Sequence, residues 1–230
     1  MSRPALALPR LARVTLNELA YAGLKQALLS GRLEPGNVIT LRRLADELGT
    51  SMMPVREAVS RLAAEHALEV LPNRGIVVPD LDRRDAEDIW ELRIRLEGEA
   101  CARAARRASA ADAARIAKLA AAVERAAAAT DLHGVLEANN AFQFAVYQAA
   151  DSPVTLQLIE TLRMRSVPHC TAAVRLLIAE RPPYYAHSWQ NHAALVAAIT
   201  AREAVAARRI KQSDLRAFRD YVNSIRTRAV

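Results

Sequence analysis

Glycine is scarce in this 230-residue chain, with seven in all, and aromatic side chains make up only 4%. The scarcity of glycine disfavours a turn-rich β architecture, whose hairpins need it. There are two cysteines, Cys101 and Cys170, far apart and without Cys-x-x-Cys spacing. They offer neither a disulfide framework nor a zinc site, and they read as small buried hydrophobes in a reducing cytoplasm. No stretch approaches ~18 uninterrupted apolar residues, so no membrane span is expected, and the first 13 residues lack the apolar centre of an export signal. Lysine is rare too: of 32 basic residues only Lys25, Lys118 and Lys211 are not arginine.

What is present is a helix-forming chain. Hydrophobic residues make up 52% and charged residues 25%, an ordinary balance for a globular protein long enough for two modest domains. The net charge is +7, and arginine suits phosphate and guanine because its guanidinium is a planar, bidentate fork. Residues 1–80 carry 10 basic and 8 acidic side chains against 22 and 17 in the remainder, so charge alone does not single out a nucleic-acid-binding half.

Local signals give the first domain. Thr15-Leu16-Asn17-Glu18 has capping-box spacing, and Leu16, Leu19, Ala20, Gly23, Ala27 and Leu28 come after it at helical intervals up to Ser30-Gly31. After the turn Glu34-Pro35-Gly36 and an extended Val38 to Thr40, Thr40 caps a short helix with Leu41, Leu44, Ala45 and Leu48 inward and Gly49 as its stop. Pro54 is placed at the first position of a third helix whose core face is Val55, Val59, Leu62 and Ala63. The short link between these two helices makes a helix-turn-helix. Residues 67–71 and 76–79 flank the turn Pro72-Asn73-Arg74-Gly75 as a hairpin, which in this position is a wing.

From Asp82 onward only helical patterns occur. Stripes run through Ile89, Leu92, Leu96 and Ala100, then through Ile116, Leu119, Ala120 and Val123 after a second capping box at Ser109 to Asp112. Asp131, Ser152-Pro153, Pro168 and Arg181-Pro182-Pro183 punctuate the remainder of the chain. The expectation is a mainly α protein: a winged helix-turn-helix with a small β-hairpin over residues 1–79, and an all-α bundle of six or seven helices over 80–230.

The run from Leu44 through Leu-Ala-x-x-Leu-Gly to Pro54-Val55-Arg56-Glu57-Ala58, with Gly31-Arg32-Leu33-Glu34-Pro35-Gly36 before it and Arg74-Gly75 after it, resembles the GntR family of bacterial regulators. With Val55, Val59 and Leu62 buried, Arg56 and Ser60 lie on the exposed side near the start of a recognition helix, where an arginine reads guanine O6 and N7. Ser51 and the amides before Pro54 suit phosphate. The resemblance further implies Arg42 as a backbone or base contact and Arg74-Gly75 as a wing tip in the minor groove. Members commonly carry Arg-Thr before the proline. Here Met52-Met53 removes a charge and leaves Met53 for apolar contact with a thymine methyl. The partner implied is an inverted-repeat DNA operator bound by a homodimer.

Leu92-Arg93-Ile94-Arg95-Leu96-Glu97, Asn139-Asn140-Ala141-Phe142-Gln143 and Asn191-His192-Ala193-Ala194-Leu195 are similar to the effector domain of the FadR subfamily. Many members bind a divalent metal at positions that fall here on Asn139, Gln143, His192 and Asp214, and only His192 keeps its usual identity. Carboxamides are poor ligands for a transition ion, so no tightly bound metal is expected, and at most a weak one at His192 and Asp214. Arg93, Asn139, Gln143, His192 and Asp214 all interrupt apolar stripes, and such groups need partners once buried. The expectation is a cavity for a small organic acid anchored by Arg93. A metal-dependent hydrolase built on His192 and Asp214 lacks a third good ligand, and a sequence-indifferent architectural DNA binder leaves the second domain without a purpose.

Overall fold

The computed structural model describes residues 15–72 and 75–228. Helix α1 (Leu16–Leu29) opens on the expected capping box, with Thr15 Oγ1 accepting from the Glu18 N–H and the Glu18 carboxylate accepting from the Thr15 N–H at 2.8 Å. It closes on Ser30 and on Gly31 at φ +66°. Strand β1 (Ile39–Thr40) leads into α2 (Leu41–Glu47), capped by Thr40, whose hydroxyl accepts from the Arg43 N–H at 3.2 Å. Helix α3 (Met52–Ala64), β2 (Glu69–Val70) and β3 (Gly75–Val77) come next. The three strands form one antiparallel sheet in the order β1-β3-β2, with Thr40 opposite Gly75 and Val70 opposite Ile76. Leu24, Leu28, Leu44, Val55, Val59, Leu62 and Ile76 share the core beneath it.

Three expectations for this part need correction. Leu16 and Leu19 are 62% and 56% exposed, because the buried face of α1 runs through Ala20, Leu24 and Leu28. Pro54 is the third residue of α3, not the first; the first four helical amides lack intrahelical acceptors, so proline is accommodated there as well. Val38 is exposed and precedes the strand.

The second part is a bundle of seven α-helices: α4 (Arg83–Arg107), α5 (Ala110–Ala128), α6 (Leu132–Ala149), α7 (Pro153–Ser166), α8 (Thr171–Glu180), α9 (Pro183–Thr200) and α10 (Ala204–Arg228), with a 3₁₀ turn at Pro168–Cys170. Asp82, Ser109 and Asp131 cap α4, α5 and α6 through side-chain oxygens. Arg181 ends α8 in the left-handed conformation before the two prolines. The long helices α4 and α10 lie against each other, as do α5 and α6. Both cysteines are buried. Of the expected stripe on α4, Ile89 and Ala100 are buried and Leu96 partly so, but Leu92 is 47% exposed, and Trp90, Arg93, Ile94 and Glu97 complete the inward face instead.

The two parts meet through the end of α1. Met164 of α7 joins the winged-helix core, and a Cβ placed on Gly31 would stand 2.5 Å from Thr171 Oγ1 and 3.3 Å from Leu136 Cδ1. Ion pairs frame the junction: Lys25 with Glu160 at 2.6 Å, Arg175 with Glu34 at 3.0 Å, and Arg32 with Glu137.

Candidate functional site: an exposed recognition helix and a buried polar cavity

Helix α3 presents Met52, Met53, Arg56, Glu57 and Ser60 outward, while Pro54, Val55, Ala58, Val59 and Leu62 face the core. Arg56 is thus exposed near the start of the helix. Ser51 precedes the helix, is exposed and makes no side-chain capping bond, so its hydroxyl and the first helical amides are available to an anion. Arg42 is exposed on α2. The Ser60 hydroxyl donates to the Arg56 carbonyl at 2.9 Å, a bond within the helix that leaves its oxygen free to accept and must be exchanged only if Ser60 is to donate elsewhere. Gly75 is buried in β3 opposite Thr40, which places it in the sheet and not at an exposed tip. Arg74 lies outside the described residues.

In the helical bundle, Arg93, Asn139, Gln143, His192 and Asp214 line one cavity of about 90 Å³. Four helices supply them: α4, α6, α9 and α10. Helix α1 supplies Leu29 to the same lining, so the N-terminal part contributes to the wall of the cavity. An aliphatic wall including Val135, Leu136, Val174 and Leu177 faces the polar residues, and the aromatic rings of Tyr184, Trp189 and Phe218 and the cations Arg163 and Lys211 complete the lining.

The polar wall is a connected network with Glu97 at its centre. Arg93 Nε donates to Glu97 at 2.7 Å, and a terminal nitrogen of Arg93 donates to Ser166 Oγ at 3.1 Å. Lys211 Nζ and an Arg163 terminal nitrogen stand 3.3 and 3.6 Å from the other Glu97 oxygen, and the Tyr147 hydroxyl donates to it as well. Burial alone would raise the Glu97 carboxyl, but the three cations and the tyrosine hold it well below the usual carboxylate range. Burial opposes the Arg93 charge, and Glu97 more than restores it. The Tyr147 hydroxyl is pushed up by burial and by Glu97, and burial pushes the Cys101 thiol up to about 12, so both stay neutral.

Towards α9, Lys211 donates to Gln143 Oε1 at 2.8 Å, and Gln143 Nε2 donates to Asn139 Oδ1 at 3.3 Å. Asp214 accepts through one oxygen from the Tyr184 hydroxyl and from Asn191 Nδ2, each at 3.2 Å. His192 is buried against Phe142 and Trp189, and burial lowers it to about 4 despite Asp214. Its Nδ1 has no hydrogen-bond partner. These groups do not fit a transition ion: two carboxamides are bonded to each other, the one carboxylate already accepts two bonds, and an ammonium sits on Gln143. Among the described residues no three His, Cys, Asp or Glu side chains gather as a metal site.

The expected anchor, Arg93, is therefore committed to Glu97 and Ser166. Sequence reasoning missed Glu97, Arg163 and Lys211. Arg163 is 4% exposed, lines the cavity, and its Nε has no hydrogen-bond partner.

Residues 16–78 match the description "Bacterial regulatory proteins, gntR family", and residues 88–217 match the FCD domain. The chain is 30% identical to the HTH-type transcriptional regulator McbR of Escherichia coli, over 84% of this chain and 86% of that one. The gluconate operon transcriptional repressor of Bacillus subtilis is 34% identical over 32% of this chain and 30% of its own. The solved structure of Escherichia coli McbR/YncC superposes with a TM-score of 0.82 at 27% identity, covering 92% of this chain and 99% of that one. A GntR-type regulator from Rhodococcus sp. RHA1 shares the fold at a TM-score of 0.70 and 19% identity, covering 90% and 97%.

Proposed function

The chain belongs to the GntR family of bacterial regulatory proteins, and from that premise we propose that it reads an inverted-repeat operator as a homodimer under the control of a small organic acid held in the cavity of its helical domain. A DNA-binding regulator with an effector domain is a non-enzymatic protein, and no helix among the described residues is long and apolar enough to cross a membrane. In this reading Arg56 makes the principal base contact, with Met53 and Ser60 beside it. Arg42 and Ser51 position the domain on the backbone, with Arg74 of the wing in the minor groove, while Gly75 serves the sheet and not the DNA contact.

One observation carries the control mechanism: Leu29 of the DNA-reading part is itself a wall of the cavity. A ligand that prefers one arrangement of that wall shifts the population of the whole chain towards it. Selection of bound duplexes from a random pool should return a two-fold symmetric site, protected as two half-sites in footprinting. Small acids should raise the melting temperature and change operator affinity together, a ligand at ~100 times its dissociation constant adding ~2.7 kcal/mol. A monomer that protects a single half-site, or equal affinity for all duplexes as an architectural binder would show, contradicts the reading.

A further inference from the structure

We infer that the cavity takes a short-chain monocarboxylate, its carboxylate received by Arg163 and its body lying on the aliphatic wall. This rests on the reading of the cavity as the effector site. The buried charged side chains among the described residues are Arg93, Arg163 and Lys211 against Glu97 and Asp214. His192 adds no charge near neutral pH, because burial lowers it, and Tyr147 and Cys101 add none because burial raises them. Three cations against two carboxylates leave one positive charge unbalanced in a space that solvates charge poorly. A monoanion balances it. A dianion reverses the imbalance.

Hydrogen bonding places the unmet charge on a particular side chain. Arg93 is held at 2.7 Å by Glu97, and Lys211 is held by Gln143 at 2.8 Å and Glu97 at 3.3 Å. Arg163 has the longest approach to Glu97, 3.6 Å, lies over the Phe144 ring, and leaves Nε without a hydrogen-bond partner. A buried guanidinium with an unused donor on a cavity wall is the group a carboxylate would satisfy. The volume sets the chain length: about 90 Å³ accommodates roughly six to nine water-sized groups.

Butyrate and succinate have the same number of carbons and differ by one charge, so they test the inference by titration calorimetry on the full chain at constant ionic strength. Butyrate is expected to bind at least tenfold more tightly than succinate. Arg163→Met should lose butyrate binding at least tenfold while the ligand-free melting temperature stays level or rises, since an unbalanced charge has been removed. Asp214→Asn raises the imbalance to two and should move the preference towards succinate, an arm that decides the question even if Arg163→Met does not fold. Succinate binding as tightly as butyrate to the unaltered chain, unchanged butyrate binding in Arg163→Met, or an equal response to chloride each overturns the inference. If succinate binds as tightly as butyrate and Gln143→Leu abolishes the binding of both, the effector-site reading stands and the charge argument alone falls. If neither acid binds at all, both fall.

Discussion

Arg93 and Glu97 lie one turn apart on α4, joined by a 2.7 Å hydrogen bond, and neither side chain is more than 3% exposed. On a solvated helix such a pair is a minor ornament worth a few tenths of a kcal/mol. Here the carboxylate is, among the described residues, the one anion that Arg93, Arg163 and Lys211 share, so removing it strands three cations in the bundle.

Glu97→Gln should therefore destabilise the protein by about 3–5 kcal/mol in chemical denaturation, the cost of breaking a buried pair from one side. Glu137→Gln, which removes an exposed partner of Arg32, should cost at most ~1 kcal/mol. Equal effects from the two variants would remove Glu97 from the centre of the network.

Stability should also fall on acidification, and the sign is set by His192. Its folded value, about 4, is below the ordinary 6.5, so between these limits the unfolded chain binds a proton that the folded chain refuses. Stability is full above about pH 6.5 and is lost as pH falls towards 4, by on the order of 3 kcal/mol. Below about pH 4.5 the depressed Glu97 carboxyl adds a second loss in the same direction. Denaturation midpoints taken across this range should show the slope, and His192→Gln should flatten its upper part.

On the DNA side, Arg56→Ala should remove ~1–3 kcal/mol of preference for the selected operator over random duplex. Arg42→Ala should weaken both more evenly and reduce the salt slope by about one unit. Competition binding at two salt concentrations separates the two outcomes, and full specificity in Arg56→Ala would mean that another surface reads the bases.

Gly31→Ala combines a left-handed backbone at φ +66° with a Cβ 2.5 Å from Thr171 Oγ1. The substitution should cost more than ~1 kcal/mol, and Thr171→Ala should recover the steric part but not the backbone part. A double-mutant cycle is expected to give a coupling of about 0.5–3 kcal/mol. Strict additivity would show that the two residues do not meet in solution.

The features legible in the sequence were those decided locally. The caps at Thr15, Thr40, Ser109 and Asp131 were legible because a side-chain oxygen and an amide three residues on settle each of them. The convergence of Asn139, Gln143, His192 and Asp214 was legible as polar breaks in apolar stripes. Leu92 was misplaced because hydrophobicity marks the inward face of α4 only where that face is apolar. Arg93 and Glu97 occupy it instead, and Leu92 is left outside. Arg163 was hidden by Arg165 two positions on, which together look like a solvated helix end. Lys211 sits among the arginines of α10 and looked equally ordinary. The pairing of β1 with β3 could not be foreseen from a strand of two residues, which is too short to display alternation.

Leu29 belongs to two surfaces at once, the core under α3 and the wall of the buried cavity. The protein is therefore less modular than its chain order implies. Exchanging sensors between relatives by a cut near residue 80 would leave this leucine facing a wall shaped for a different side chain. A chimera that keeps both halves working has to bring along the last turn of α1 that matches its new sensor.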